Sequence, residues 1–152
     1  MNLDTPIRSE TDPVVFASLW QFYARQMHLL DSARVDEWAA TLAPDCSFAE
    51  DGITELSFSA TAIEGLERMK ELAHRGVAED RANGIVRRHW IGMLNVDSFA
   101  DKTARTSFYA MVAVTEKGGE SRLHSSAGRD LLVRGEAGWT VRERRVRRDL
   151  LG

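Results

Sequence analysis

The sequence predicts an α+β domain in which a strongly curved antiparallel sheet wraps around three N-terminal helices and encloses a cone-shaped cavity. Three observations carry this reading. Before residue 84, apolar residues recur at helical spacings of three and four; from Gly84 onward they alternate; and the alternating half is cut by separators rich in the Asp, Gly and Lys of hairpin turns. Helices segregated from a run of antiparallel strands are the mark of this class.

The first helix starts after Asp12, whose side chain can accept an orphan backbone donor, with Pro13 at the first helical position, where no hydrogen bond is lost. Phe16, Leu19, Trp20, Tyr23, Met27 and Leu30 then mark one apolar face, and the helix is expected to end near Asp31. A second helix is expected from Val35 to Leu42, with Trp38, Ala39 and Leu42 inward and a turn at Ala43, Pro44 and Asp45. Around Gly52, SFAED and ITELSFS read as strand, or as strand and loop. Thr61 and Glu64 have the spacing of a capping box, opening a third helix whose buried stripe is Ile63, Leu66, Met69, Leu72 and Ala73 and which stops before Asn83 and Gly84.

Four long strands follow: Ile85 to Asp97, Thr103 to Glu116, Arg122 to Arg134 and Trp139 to Arg147, separated by DSFADK, EKGGE and RGEAG. The 152 residues suit an N-terminal tail over 1–12 and a single domain over 13–152. A curved sheet closed by helices leaves a pocket suited to a small, mostly apolar ligand held by a few polar groups.

Composition narrows the classes. Hydrophobic and charged fractions of 43% and 28% are those of a globular protein, and no apolar run approaches the roughly 20 residues of a membrane span. The opening MNLDTPIRSE lacks the basic start and apolar stretch of a secretory signal, so the cytoplasm is expected. Cys46 is alone, which excludes an internal disulfide and a multi-cysteine zinc site. A net charge of -3 gives no global attraction to nucleic acid. The basic VRERRVRRD at 141–149 reads either as a patch for nucleic acid or acidic lipid, or as the solvated or subunit-facing side of a last strand; without a second basic cluster interleaved with aromatics, the latter is preferred.

His89 is the residue that stands out. It sits in RRHWIGMLNVD, where alternation gives it a face shared with Arg87, Ile91, Met93 and Asn95. It is either a satisfied core residue or an acid/base group, since an imidazole exchanges protons near neutral pH. Asp31, one turn beyond Met27, is placed to orient it; a carboxylate on one ring nitrogen sets the tautomer of the other. His124 shares its face with Ser126, Gly128 and Asp130, whereas Ser125 takes the opposite one. Tyr23 and Tyr109 are possible proton donors or packed aromatics. No phosphate loop, Gly-x-Ser-x-Gly elbow or close metal-ligand motif is present, and neither metal nor cofactor is expected.

The order of elements, with QFYARQMHLLDSARVDEWAATLAPDCSF at 21–48, RRHWIGMLNVD, and LHSSAGRDLLVRGEAGWTVRERRV at 123–146, resembles the NTF2-like superfamily, and within it the SnoaL-like cyclase and dehydratase branch. The resemblance implies the cystatin-like α+β barrel, an enzyme of aromatic polyketide biosynthesis, and a homodimer formed by pairing sheets. The scytalone dehydratases of that superfamily imply a base at His89 oriented by Asp31, and a hydroxyl group at Ser125, which would turn Ser125 rather than His124 to the ligand. Their tyrosine before the aspartate is Leu30 here, and their second histidine falls near Val114.

The expected function is therefore a cofactor-free cyclase or dehydratase acting on a polycyclic or phenolic polyketide intermediate. His89 and Asp31 would be its acid/base pair, and Tyr23, Trp38, Asn95, Tyr109, His124 and Ser125 its candidate substrate contacts. Two other readings stay open: a noncatalytic accessory subunit, as in ring-hydroxylating dioxygenases, and a ketosteroid-isomerase-like enzyme, for which Asp130 is the candidate carboxylate.

Overall fold

The computed structural model describes residues 12–51 and 62–149, with Asp51 described by its backbone alone. Helix α1, Pro13–Asp31, begins as expected, with the Val14 N–H donated to Asp12 Oδ1 at 2.9 Å. Its buried stripe is turned from the expected one. Val15, Leu19, Tyr23, Gln26, Met27 and Leu29 go inside, while Phe16 and Trp20 stack on each other on the exposed side. Gln26, a polar residue no apolar count would include, is fully buried because its amide is hydrogen-bonded.

Helix α2 is shorter than expected, Val35–Ala39, and the predicted turn over Ala43 to Asp45 is instead the start of strand β1, Leu42–Asp51. Pro44 lies where the pairing of β1 is irregular, which is where a strand tolerates a missing N–H. Strand β2 is Ile63–Glu64, so these two residues open no helix; α3 is Leu66–Asn83, entered through Gly65 and ended by Gly84 in the left-handed conformation. The expected capping box fails because Glu64 is committed to pairing with Ser47. Thr61, the segment ITELSFS and the tail over 1–11 lie outside the described residues.

The four long strands are β3 Val86–Ala100, β4 Thr103–Thr115, β5 Ser121–Gly135 and β6 Gly138–Arg148. The sheet order is β2-β1-β6-β5-β4-β3; all pairs are antiparallel except β1 with β6, and the curved sheet remains open. The core lies between α1, α2 and the concave face, around Leu19, Tyr23, Trp38, Phe108, Leu132, Trp139 and Val141. Helix α3 packs on it through the half-buried Leu66, Met69, Ala73 and Val77.

Strand β3 contains the irregularity that matters most for the site. Gly92 pairs with Tyr109 but Asn95 pairs with Ser107, so three steps on β3 match two on β4: a β-bulge, with Met93 at φ 49°. One extra residue reverses the alternation. The face that holds His89 and Ile91 continues through Leu94 and Val96, and not through Met93 and Asn95 as simple alternation predicts.

Candidate active site

A cavity of about 480 Å³ opens between α1, α2, α3 and the concave sheet. Its walls are largely apolar: Met27 and Leu30 from α1, Trp38 from α2, Met69 and Leu72 from α3, and Ile91, Phe108, Ala110 and Val112 from the sheet. Polar side chains border it as well: His89, His124, Ser126 and Arg144, with Ser47, Glu50, Arg87, Ser125 and Arg148.

His89 and Asp31 meet. Asp31 Oδ1 lies 2.6 Å from His89 Nδ1, and Asp31 Oδ2 accepts the backbone N–H of His89 at 2.9 Å. The carboxylate is largely buried, 11% exposed, and the imidazole is 26% exposed. Two bonds to one residue hold both the strand and the ring relative to the end of α1. With the carboxylate as acceptor, Nδ1 carries a proton and Nε2 is left as the basic nitrogen. Nε2 makes no hydrogen bond among the described residues, on a ring that borders the cavity.

His124 faces the same way. His89, Val112 and His124 are register partners on β3, β4 and β5, so the two histidines stand two strands apart, roughly 10 Å between backbones. Ser126 follows His124 on this face, with its hydroxyl donated to the Ala110 carbonyl. Ser125 borders the cavity, but its register partner is the outward Met111 and its hydroxyl is donated to Asp149 at 2.6 Å. Both residues therefore border the cavity, His124 in register with His89 and Ser125 in register with the outward Met111. Val112 lies directly opposite His89, and Val114 is buried two residues further along β4.

Two further candidates lie elsewhere. Asn95, carried by the bulge to the outer face, donates to Asp97 Oδ1 at 2.5 Å. Tyr109 pairs with Gly92 and Ala127, on the same outer face as Met111, and is 63% exposed. Trp38 does line the cavity; its indole Nε1 is sealed off and is the one buried side-chain polar atom without a partner among the described residues.

Tyr23 is inside, but its hydroxyl is committed. It donates to Asp130 Oδ2 at 2.5 Å and lies 2.7 Å from Thr106 Oγ1, and burial, then the Asp130 charge, pushes its phenol well above the ordinary value. Asp130 in turn receives Arg144 Nε at 2.9 Å and Nη2 at 2.8 Å. Arg144 Nη2 also donates to Gln26 Oε1 at 2.8 Å. Burial pulls the guanidinium pKa down, but the Asp130 charge and hydrogen bonds more than offset it, so Arg144 stays firmly protonated. Asp130 is thus a partner of Arg144 and Tyr23, not the free carboxylate that isomerase chemistry requires.

Arg144 is the site residue that sequence reading misses, hidden in a tail that reads as a solvated or subunit-facing strand side. The signal within reach was alternation: Arg144 and Val146 share a face, and the neighbouring Asp130 needs a cation to be buried. The described His, Cys, Asp and Glu residues form no group of three placed to hold a metal ion. No described helix is long and apolar enough to cross a membrane.

An open, curved sheet closed by helices around an apolar cavity, with a histidine and aspartate pair at its edge, defines an NTF2-like α+β protein. The chain belongs to the SnoaL-like domain family, whose model matches residues 17–145. Among solved structures, Aln2 from a Streptomyces species is 32% identical, with 93% of this chain and 95% of that one aligned at a TM-score of 0.78. A Catenulispora acidiphila protein in complex with S-DNPA is 30% identical over 91% and 96%, TM-score 0.72. ActVI-ORFA from Streptomyces coelicolor is 26% identical over 90% and 98%, TM-score 0.73. No curated protein matches.

Proposed function

We propose that the protein is a cofactor-free acid/base enzyme, a cyclase or dehydratase acting in the cytoplasm on an aromatic or polycyclic polyketide intermediate. The observation that carries this reading is the double hold of Asp31 on His89, which leaves Nε2 as the basic atom of a ring bordering an enclosed apolar cavity. Nε2 takes a proton from a carbon next to a carbonyl, or from a phenol. The resulting enolate or phenolate closes a ring or expels a leaving group, and the imidazolium returns the proton. Asp31 holds the tautomer and stabilises the imidazolium without taking the proton itself. The roughly 10 Å between the His89 and His124 positions accommodates a fused-ring ligand. A relative at 30% identity was solved with a small molecule bound, which supports a ligand-binding role for the family's fold.

The homodimer is part of the same proposal. Trp90, Tyr109, Met111 and Leu123 stand exposed on neighbouring strands of the outer face, an apolar patch of the kind that pairs with another protein surface. Light scattering should give twice the chain mass at micromolar concentration.

The chemistry is tested with β-tetralone, a bicyclic ketone with exchangeable protons next to its carbonyl. Wild-type protein should accelerate deuterium uptake there, followed by NMR, and His89→Ala should lose about a hundredfold or more of that acceleration. Asp31→Asn should lose a large part of it. Full exchange rates in both folded variants would end the assignment.

A further inference from the structure

The guanidinium of Arg144 has more donors than the protein uses. Of its five N–H groups, Nε–H goes to Asp130 Oδ1, and the two on Nη2 go to Asp130 Oδ2 and Gln26 Oε1. The Nη1 amino group makes no hydrogen bond among the described residues. It is not sealed in either, because Trp38 Nε1 is the one such buried, partnerless atom among them. The side chain is 12% exposed and lines the cavity, and Nη1 is its one nitrogen without a partner among the described residues.

The cation is also held still. Asp130, fully buried, grips one edge of the guanidinium, Gln26 takes the end, and the rings of Tyr23 and Phe108 lie 5.7 and 5.5 Å from its central carbon. Charge and donor direction are therefore set before any ligand arrives, and little ordering cost remains to be met on binding. Asp130 balances the charge but leaves the Nη1 donors unmatched.

Position separates this group from the acid/base pair. Gln26, which Arg144 touches, and Asp31, which His89 touches, are five positions apart on α1, a rise of roughly 8 Å. A rise of that length along α1 is one that two or three fused rings span, so the two groups contact different parts of one ligand.

We propose that Arg144 is a specificity-determining anion subsite, whose Nη1 amino group receives a carboxylate carried on the end of the ligand remote from His89. A carboxylate is ionised at neutral pH whereas an ordinary phenol is not, and a fixed guanidinium edge favours the ionised oxygen. The proposal deepens the acid/base reading and takes from it the cavity as the substrate site.

The test compares naphthoate with naphthamide, substituted at the same ring position, by titration calorimetry on the full chain. Wild-type protein should bind the anion about tenfold or more tightly than the neutral amide. Arg144→Lys, which keeps a charge for Asp130 but lacks Nη1, should lose most of that preference. Because a lone Arg144 change can unfold the protein, the double variant Asp130→Asn with Arg144→Met is measured alongside, and it too should bind both probes alike. Equal affinities in wild type, no naphthoate binding at about millimolar concentration, or a preference kept in the folded variants would overturn the proposal. His89→Ala separates the two readings: it should abolish tetralone exchange while keeping the preference for naphthoate.

Discussion

The Asp31 carboxylate holds His89 at two atoms, one oxygen on the ring Nδ1 and the other on the backbone N–H of the same residue. One side chain at the end of α1 thus fixes both where strand β3 runs and which imidazole nitrogen is basic. Asp31→Ala should lower stability by about 2 kcal/mol, since a partly buried N–H loses a charged acceptor. His89→Ala should cost less than half of that, because the backbone bond survives. Denaturant unfolding of the two variants checks the order.

The phenol of Tyr23 makes the alkaline limb of stability predictable. Burial and then the Asp130 charge raise its pKa in the folded state above the ordinary 10.0, so the unfolded chain releases the proton first. The stability tied to this group is complete below that ordinary value and is lost as the pH climbs through the folded pKa. Tyr23→Phe should be less stable near neutrality by about 1–2 kcal/mol, from two lost hydrogen bonds, yet show a shallower decline above about pH 10. Denaturant melts of both proteins across that range read the difference.

Phe108 sits where a side chain on Gly128 would stand. A Cβ there would lie 2.3 Å from ring carbons Cε2 and Cζ, closer than any real contact. Gly128→Ala should therefore cost about 1–3 kcal/mol by overpacking. Adding Phe108→Leu should recover part of the loss, measured as a double-mutant cycle.

Met93 occupies the left-handed region at φ 49° with its side chain 76% exposed, a conformation that costs an L residue and gains nothing from burial. Met93→Gly should stabilise by about 0.5–1 kcal/mol. Deleting Met93 removes the extra residue, and plain alternation then keeps Leu94 inward and Asn95 outward, so the deletion should preserve the fold and the facing of the strand. Thermal unfolding should show a raised midpoint for Met93→Gly and a single cooperative transition for the deletion.

How far the site is legible follows from how local each signal is. Asp31 and His89 can be paired from sequence because one ends a strongly periodic helix and the other interrupts an apolar strand. Alternation alone places His124 with Ser126 and Asp130, and the register agrees. The same rule misplaces Asn95, since alternation holds only until an extra residue intervenes. Gly92 in a strand interior is the warning that the chain itself carries.

The sequence by itself determined the class of the fold, the order of its elements and the residue most suited to acid/base chemistry, because periods of 3.6 and 2 and the composition of turns are local properties of the chain. Only the tertiary structure decided which face each strand residue occupies beyond the bulge at Met93, and that Arg144 pairs with Asp130 and Gln26 instead of standing in solvent. Those outcomes depend on register between strands and on which buried charge lies within reach, and Arg144 is 14 positions from Asp130 and 118 from Gln26 in the chain.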